Sequence, residues 1–276
     1  MIPVSNVYIY SEPRCGFVDF QEVTGFVRGY TPGAVVKLRG PLLEGAIRRG
    51  GTEPGEAGHT LQSRLALLLA KAKVKVMESP VPVGQSPLPG EVDYERRRLA
   101  DTNKTVFGIL YDAYLLSAIY RRLLDGGETG MGYVHVVFTN QLIGTWDEGD
   151  RRYHARSVLL GSPSIVSLSG MVEAPARATG YYLARRSAEA MGLAEEKKME
   201  LARSFDDDCL EHDDERMTEV AKGYAMQPVA YRLTGEVFCE DPDCRLFNAH
   251  WQRELLRAQT GEGEDFCSMH REILCQ

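Results

Sequence analysis

Four residues near the C-terminus constrain this chain more than any other feature. Cys239 and Cys244 are separated by four residues, and Cys267 and His270 form a Cys-x-x-His pair further on. Pro242 and the acids around it favour a tight turn between the first two. Each pair can bend two donors onto one ion, and together they offer three sulfurs and a ring nitrogen. That is the donor set of a closed, tetrahedral, structural zinc site, one ion per chain. His250 is a rival for the fourth position and Cys275 a weaker one. The competing reading is a disulfide, or thiols that are buried for unrelated reasons.

With 276 residues the chain can bury a sizeable core, as one large domain or two modest ones. A formal net charge of -7 disfavours nonspecific binding to nucleic acid or anionic membranes. No run of about 18 apolar residues is present, so no transmembrane helix is expected. The first residues lack the charged, apolar and cleavage regions of a signal peptide. The expectation is a cytoplasmic chain whose six cysteines serve as thiols and metal ligands, with Cys15 and Cys209 as free thiols.

Val7 to Tyr10 reads as a buried strand, Phe20 to Arg28 as a helix, and Ala34 to Arg39 as a second strand, a βαβ opening. Leu61 to Val76 has helical spacing. Ser79 to Gly90 holds four prolines and two glycines and reads as a loop. Asp93 to Leu124 reads as one long helical stretch, with Phe107, Leu110, Tyr111, Tyr114 and Leu115 on a core-facing side. Tyr133 to Phe138 is a strong strand, extended after a turn by Leu142 to Trp146. Tyr153 to Leu160 and Ser164 to Leu168 are further strands. The fold class is therefore α/β, one mixed sheet with flanking helices, followed by a helical C-terminal part. The expected division is 1–172 and 173–276. In the second part Tyr181 to Met191, Ala194 to Arg203 and Asn248 to Gln259 read as helices. Phe205 to Asp214 reads as a solvated acidic loop. Thr218 to Thr234 reads as a helix with a kink or restart at Pro228 and a stop at Gly235.

The C-terminal half resembles the archaemetzincins, zinc peptidases that carry H-E-x-x-H-x-x-G-x-x-H, then a Cys pair with four residues between, then a Cys-x-x-Cys. Gly235 stands four residues before Cys239, the interval of that family. Cys239, Cys244, Cys267 and His270 then take its structural-zinc positions, with His270 in place of a Cys. Val134 to Asn140 resembles its central strand, and Ser164 to Leu168 the strand before the active helix. A narrower resemblance, to an archaeal family of metallopeptidases of unknown function, rests on Val172 to Pro175, Lys222 to Tyr224 and Cys244 to Trp251. The resemblance implies a metzincin-like scaffold and a structural zinc.

It does not carry the peptidase centre. Counting from Gly235, the three catalytic ligand positions hold Pro228, Arg232 and Phe238, and the general-base position holds Val229. None can donate to zinc, and Arg232 is a permanent cation. Where the family has Met after the second Cys, this chain has Leu246. The remaining polar candidates for a rearranged site are Glu173, Glu219, Lys222 and His250, with Arg177, Tyr181 and Gln252 beside them. Glu219 and Lys222 share a helix face, where an ion pair is the plainer reading. Glu173 is placed at a strand end before Pro175. Three functions follow. The first is a zinc-stabilised metzincin-like protein that binds a protein, peptide or small-molecule ligand. The second is a metallopeptidase or other hydrolase or transferase with a rearranged site. The third is a zinc-ribbon nucleic-acid binder, disfavoured because Cys239 to Gln276 has no basic stripe.

Overall fold

The computed structural model describes residues 4–12, 17–49, 60–82, 84, 86–101, 108–204 and 209–274. Its centre is a five-stranded sheet in the order β2-β1-β4-β8-β7. The strands are β1 (Asn6–Tyr10), β2 (Val35–Arg39), β4 (Tyr133–Thr139), β7 (Val158–Leu159) and β8 (Ser164–Ser167). The first four of that order pair in parallel, and β7 closes one edge antiparallel to β8.

Alternation of side chains along each strand divides the interior into two cores. Val7, Ile9, Val136, Phe138 and Val166 face one core, together with α1 (Phe20–Gly29) and α9 (Met217–Thr234). Tyr8, Tyr10, Val137 and Ile165 face the other, which holds α3 (Leu61–Lys71) and α5 (Ala113–Arg121). Both faces are covered, which is why these strands read as nearly continuous apolar runs. The exception inside β4 is His135, 1% exposed. Its Nε2 donates to the Glu128 carbonyl at 2.7 Å, so its Nδ1 accepts from the Tyr10 hydroxyl at 3.1 Å. Burial holds its pKa below the ordinary histidine value, consistent with a neutral ring.

Asp93 to Leu124 is not one helix. It comprises α4 (Pro89–Ala100), the strand β3 (Leu110–Asp112) and α5. Gly108 takes φ +70°, a left-handed conformation, just before β3. The Asp112 carboxylate accepts from the Leu115 amide and caps α5. Leu110 and Tyr111 are buried, but Tyr114 and Leu115 are exposed, so the expected stripe is not a single face. Phe107 lies outside the described residues.

The single mixed sheet is corrected to two. Leu142 to Trp146 lies in β5 (Leu142–Asp147), which joins β3 and β6 (Arg152–Arg156) in a three-stranded sheet of its own. Tyr153 to Leu160 is divided between the two sheets at Ser157. There the Ser157 hydroxyl donates to the Gly170 carbonyl and its own carbonyl accepts from the Ser167 amide. Those bonds turn the chain from one sheet to the other.

Glu173 ends the short helix α6 (Leu168–Glu173), not a strand. The helix read over Leu61 to Val76 stops at Lys71, after which Lys73 bridges to Tyr111. Helices α7 (Thr179–Ala190) and α8 (Glu195–Arg203) follow the sequence reading. Of the kink or restart expected at Pro228, the restart does not occur: α9 continues through the proline as one helix. Its residues from Gly223 to Ala230 are all buried, so packing holds both sides of the proline where local propensity alone would break the helix. Helix α10 begins at Gln252, later than expected, and runs to Thr260. The delay arises because His250 and Gln252 exchange backbone hydrogen bonds with Ala176, which holds that segment extended. Helix α11 (Ser268–Leu274) completes the described chain.

Gly170 fits where no side chain can. A Cβ there would lie 2.2 Å from the Arg156 carbonyl oxygen, a backbone atom. Gly25 in α1 has open space around it. Gly170→Ala is expected to lower stability by about 1–3 kcal/mol or more through overpacking. Gly25→Ala should raise it by roughly 0.5–1 kcal/mol through helix propensity. Urea unfolding of the two variants checks the opposite signs.

Candidate metal centre and adjoining cleft

The two ligand pairs meet beyond the end of α9. Gly235, at φ +77°, caps that helix and its amide donates to the Tyr231 carbonyl at 2.8 Å. The chain then reverses through a knuckle. The Cys239 amide donates to the Leu246 carbonyl, the Cys244 amide to the Asp241 carbonyl, and the Asp243 amide to the Asp241 carboxylate. The expected turn around Pro242 is thus made by Asp241, which carries both the backbone and the side-chain acceptor. Cys267 and His270 arrive from the opposite side, just before and on α11.

Their donor atoms, the three Sγ and a ring nitrogen of His270, all lie within 4.8 Å of one another. The Cys239 and Cys267 sulfurs are 3.8 Å apart, and Cys244 Sγ lies 3.8 Å from His270 Nδ1. Zinc bonds of about 2.3 Å to sulfur and 2.0–2.1 Å to nitrogen give tetrahedral edges of roughly 3.4–3.8 Å. The Cys239–Cys267 and Cys244–His270 edges match those dimensions, the Cys267 Sγ–His270 Nδ1 edge is shorter at 3.1 Å, and the remaining edges stay within 4.8 Å. Cys239, Cys244 and His270 are buried and Cys267 is half-buried. Burial pushes the Cys244 thiol up to about 12 and raises the Cys239 thiol, and it lowers the His270 ring. A cation at the centre would reverse the cost for the thiols by stabilising their thiolates. His250 is exposed and lies outside this cluster, with Nε2 3.2 Å from Asn248 Nδ2. Cys275 and Cys15 lie outside the described residues, and Cys209 is buried away from the four.

Arg245, next to Cys244, braces the two halves. Its Nε donates to Asp265 Oδ1 at 2.6 Å, two residues before Cys267. Its Nη1 and Nη2 donate to the Glu219 carbonyl and carboxylate at 2.9 and 3.0 Å. Lys222 Nζ meets Glu219 at 2.5 Å and Glu22 at 2.6 Å. Burial alone would raise the Glu219 carboxyl, but hydrogen bonds from Lys222 and Arg245 hold it below the ordinary carboxylate range. Glu219 and Lys222 thus tie α9 to the metal loop and to α1. Glu173 pairs with His212 at 3.3 Å, and that hydrogen bond holds its pKa below the ordinary range. Gln252 donates to the Met171 and Val172 carbonyls and accepts from the Leu210 amide. Arg177 lies over the Tyr181 ring at 4.8 Å. Glu173, the Glu219–Lys222 pair and His250 each have separate partners.

Beside the metal loop runs a cleft of about 360 Å³. Its walls come from β7, the α6–α7 connection, α9 and the segments flanking the knuckle, Val237 to Phe238 and Phe247 to His250. Of the candidate catalytic residues, only His250 lines it. Arg156, Tyr224 and Gln227 line it too; the sequence marked Tyr224 only as part of the Lys222 to Tyr224 resemblance and the other two not at all. Gln227 carried a usable signal, as a lone amide in the apolar run Gly223 to Ala230. Arg156 carried none, since a charged residue in a half-buried strand is ordinary. Burial raises the Tyr224 hydroxyl to about 12, so it is a neutral donor or acceptor near neutral pH.

The family model described as a probable metallopeptidase family (DUF6775) matches residues 3–276. The chain belongs to that family. No curated protein and no solved structure matches the sequence. A metallopeptidase centre needs about three donors and a carboxylate base. Among the described residues this member of the family lines its cleft with one histidine and with no Asp, Glu or Cys. The residues at the four expected positions have other roles. Val229 is buried in the core, Pro228 is inside the helix, Phe238 lines the cleft, and Arg232 donates to the Met131 carbonyl. The Cys239, Cys244, Cys267 and His270 cluster is the metal-capable group found among the described residues.

Proposed function

We propose that the protein is a metzincin-like, zinc-stabilised member of its family that binds a ligand in the cleft and has no zinc-bound water to hydrolyse it. The observation that carries this reading is the division of chemistry between two neighbouring places. The donor set for a closed site lies in the tail, while among the described residues the cleft is lined by neither a set of metal donors nor a carboxylate to act as base. Zinc fits three thiolates and one imidazole better than harder cations do. Its role is structural, joining the end of α9 to the C-terminal helix. A reducing, cytoplasmic setting suits three thiolates. Among the described residues no helix is long and apolar enough to cross a membrane.

Elemental analysis of freshly reduced, purified protein should give one zinc per chain. Two would support a catalytic ion as well, and none would remove the basis of the proposal. Chelation should raise hydrogen exchange first in the residues after Gly235, because the unfolded tail has no preformed site and the ion supplies part of its folding free energy. Exchange there that ignores the chelator would rule out a structural role.

A further inference from the structure

The four residues of the tail cluster are not equally protected. Cys239, Cys244 and His270 are buried, whereas Cys267 is half-buried and is followed by the exposed Ser268 and Met269. The sulfurs differ in their hydrogen bonds too. The Asp241 amide donates to Cys239 Sγ at 3.4 Å, and the Leu246 and Cys267 amides face Cys244 Sγ. Among the described residues, the polar contacts of Cys267 Sγ are Cys239 Sγ at 3.8 Å and His270 Nδ1 at 3.1 Å. An N–H on a thiolate lowers its basicity, and a less basic thiolate is a weaker nucleophile. Of the three sulfurs, that of Cys267 thus belongs to the most accessible residue and is the least restrained, and a second thiol stands beside it.

We infer that Cys267 is an oxidation site, at which a hydroperoxide converts the zinc cluster to a Cys239–Cys267 disulfide and frees the ion. The inference rests on the structural-zinc reading given above and adds a condition under which the site opens. The Cys267 thiolate attacks one oxygen of the peroxide. An S–O bond forms, the O–O bond breaks, and the departing hydroxide takes a proton to become water. The Cys239 thiolate then attacks the Cys267 sulfur. The S–S bond forms, the S–O bond breaks, and a second hydroxide leaves and is protonated. Two electrons pass from the two sulfurs to the peroxide. Cys244 and His270 are then the remaining donors, too few for a closed four-coordinate site. Hydrogen peroxide is small and neutral, so the acids before Cys267, Glu262, Glu264 and Asp265, do not repel it. Cys209 is buried outside the cluster and takes no part.

The test is hydrogen peroxide added to the zinc-loaded, reduced, full-length protein. Released zinc is read with a chromogenic chelator, and disulfides are mapped by mass spectrometry of unreduced peptides. Zinc release is expected in step with a Cys239–Cys267 disulfide, at about one ion per peroxide consumed. Thiol reductant with added zinc should restore the ion, and sulfenic acid trapped early with dimedone should lie on Cys267. Cys267→His keeps a donor at that position without the thiolate, and should hold its zinc at the peroxide concentration that empties the unmodified protein. Equal release from a zinc-bearing Cys267→His overturns the role of Cys267, as does a disulfide that omits Cys267 or trapping on another cysteine. The mapping is done on the unmodified protein, so it decides the pairing whatever the zinc affinity of that variant. Zinc that stays bound under excess peroxide overturns the inference and leaves the structural ion standing. A purified, reduced protein without zinc overturns both.

Discussion

In Cys244→Ser we expect zinc content to fall from one per chain to near zero, and the segment after Gly235 to lose its protection from hydrogen exchange. Cys244 has no exposed surface and its sulfur faces both His270 and the other two thiols. Serine keeps the shape but is a poor zinc donor, and three remaining ligands leave an open coordination position. Structural zinc contributes about 10–16 kcal/mol to zinc-finger peptides, which bounds the effect from above. The loss here should be several kcal/mol and mainly local. The bonds of Arg245 to Asp265 and Glu219 and of Gln259 to the Arg245 carbonyl remain. Exchange in β4 should change little. Cys209→Ser, at a buried thiol outside the cluster, should keep its ion. The cleft should respond as well, since Val237, Phe238 and Phe247 flank the knuckle and also form its wall. A Cys244→Ser protein that still carries one tightly held zinc would show that the four residues are not the site.

The second large effect is expected far from the metal. Glu95 has no exposed surface, and its carboxylate accepts from three donors. Lys73 Nζ and the Tyr111 hydroxyl reach Oε1 at 2.7 and 2.8 Å, and Arg98 Nε reaches Oε2 at 2.8 Å. Two buried cations therefore share one buried anion, and Lys73 also lies 4.2 Å from the Tyr94 ring. Glu95→Gln removes the charge and turns one acceptor into a donor facing other donors. Breaking a buried pair from one side costs about 3–5 kcal/mol, because the opposite charge is left desolvated. For a chain of this size that is a fall in Tm on the order of 10 °C. Thermal melts of Glu95→Gln check it. Replacing Glu95, Lys73 and Arg98 together by apolar residues of similar length should recover much of the loss, since the cost lies in the unpaired charges. A Glu95→Gln melt within a degree of the unmodified protein would mean that the three side chains are not buried together.

The strands of the central sheet were legible because both of their faces are buried. β1 and β4 are runs of β-branched and aromatic residues, and such a run has few alternatives to a covered strand. The βαβ opening and the cap at Gly235 were legible for similarly local reasons. The second sheet was not. β3 is three residues long and is held by pairing with β5, so its Leu-Tyr-Asp sequence resembles the amphipathic helix that follows it. The division of Tyr153 to Leu160 depends on the Ser157 bond to Gly170, thirteen residues away, which no window on the strand contains.

What the sequence determined by itself was the donor set and its two chelate spacings, because a pair of ligands three to five residues apart is a property of local chain geometry. It also determined the absence of ligands at Pro228, Val229, Arg232 and Phe238, because the chemistry of those side chains does not depend on where they lie. Tertiary structure alone decided which polar groups became scaffold and which face the cleft. Glu219 and Lys222 were drawn into the Arg245 brace, Glu95 into a buried ion cluster, and Arg156 and Gln227 to the cleft wall. The physical reason is that a charge or an amide takes its role from the partners that reach it, and these partners come from segments far apart in the chain.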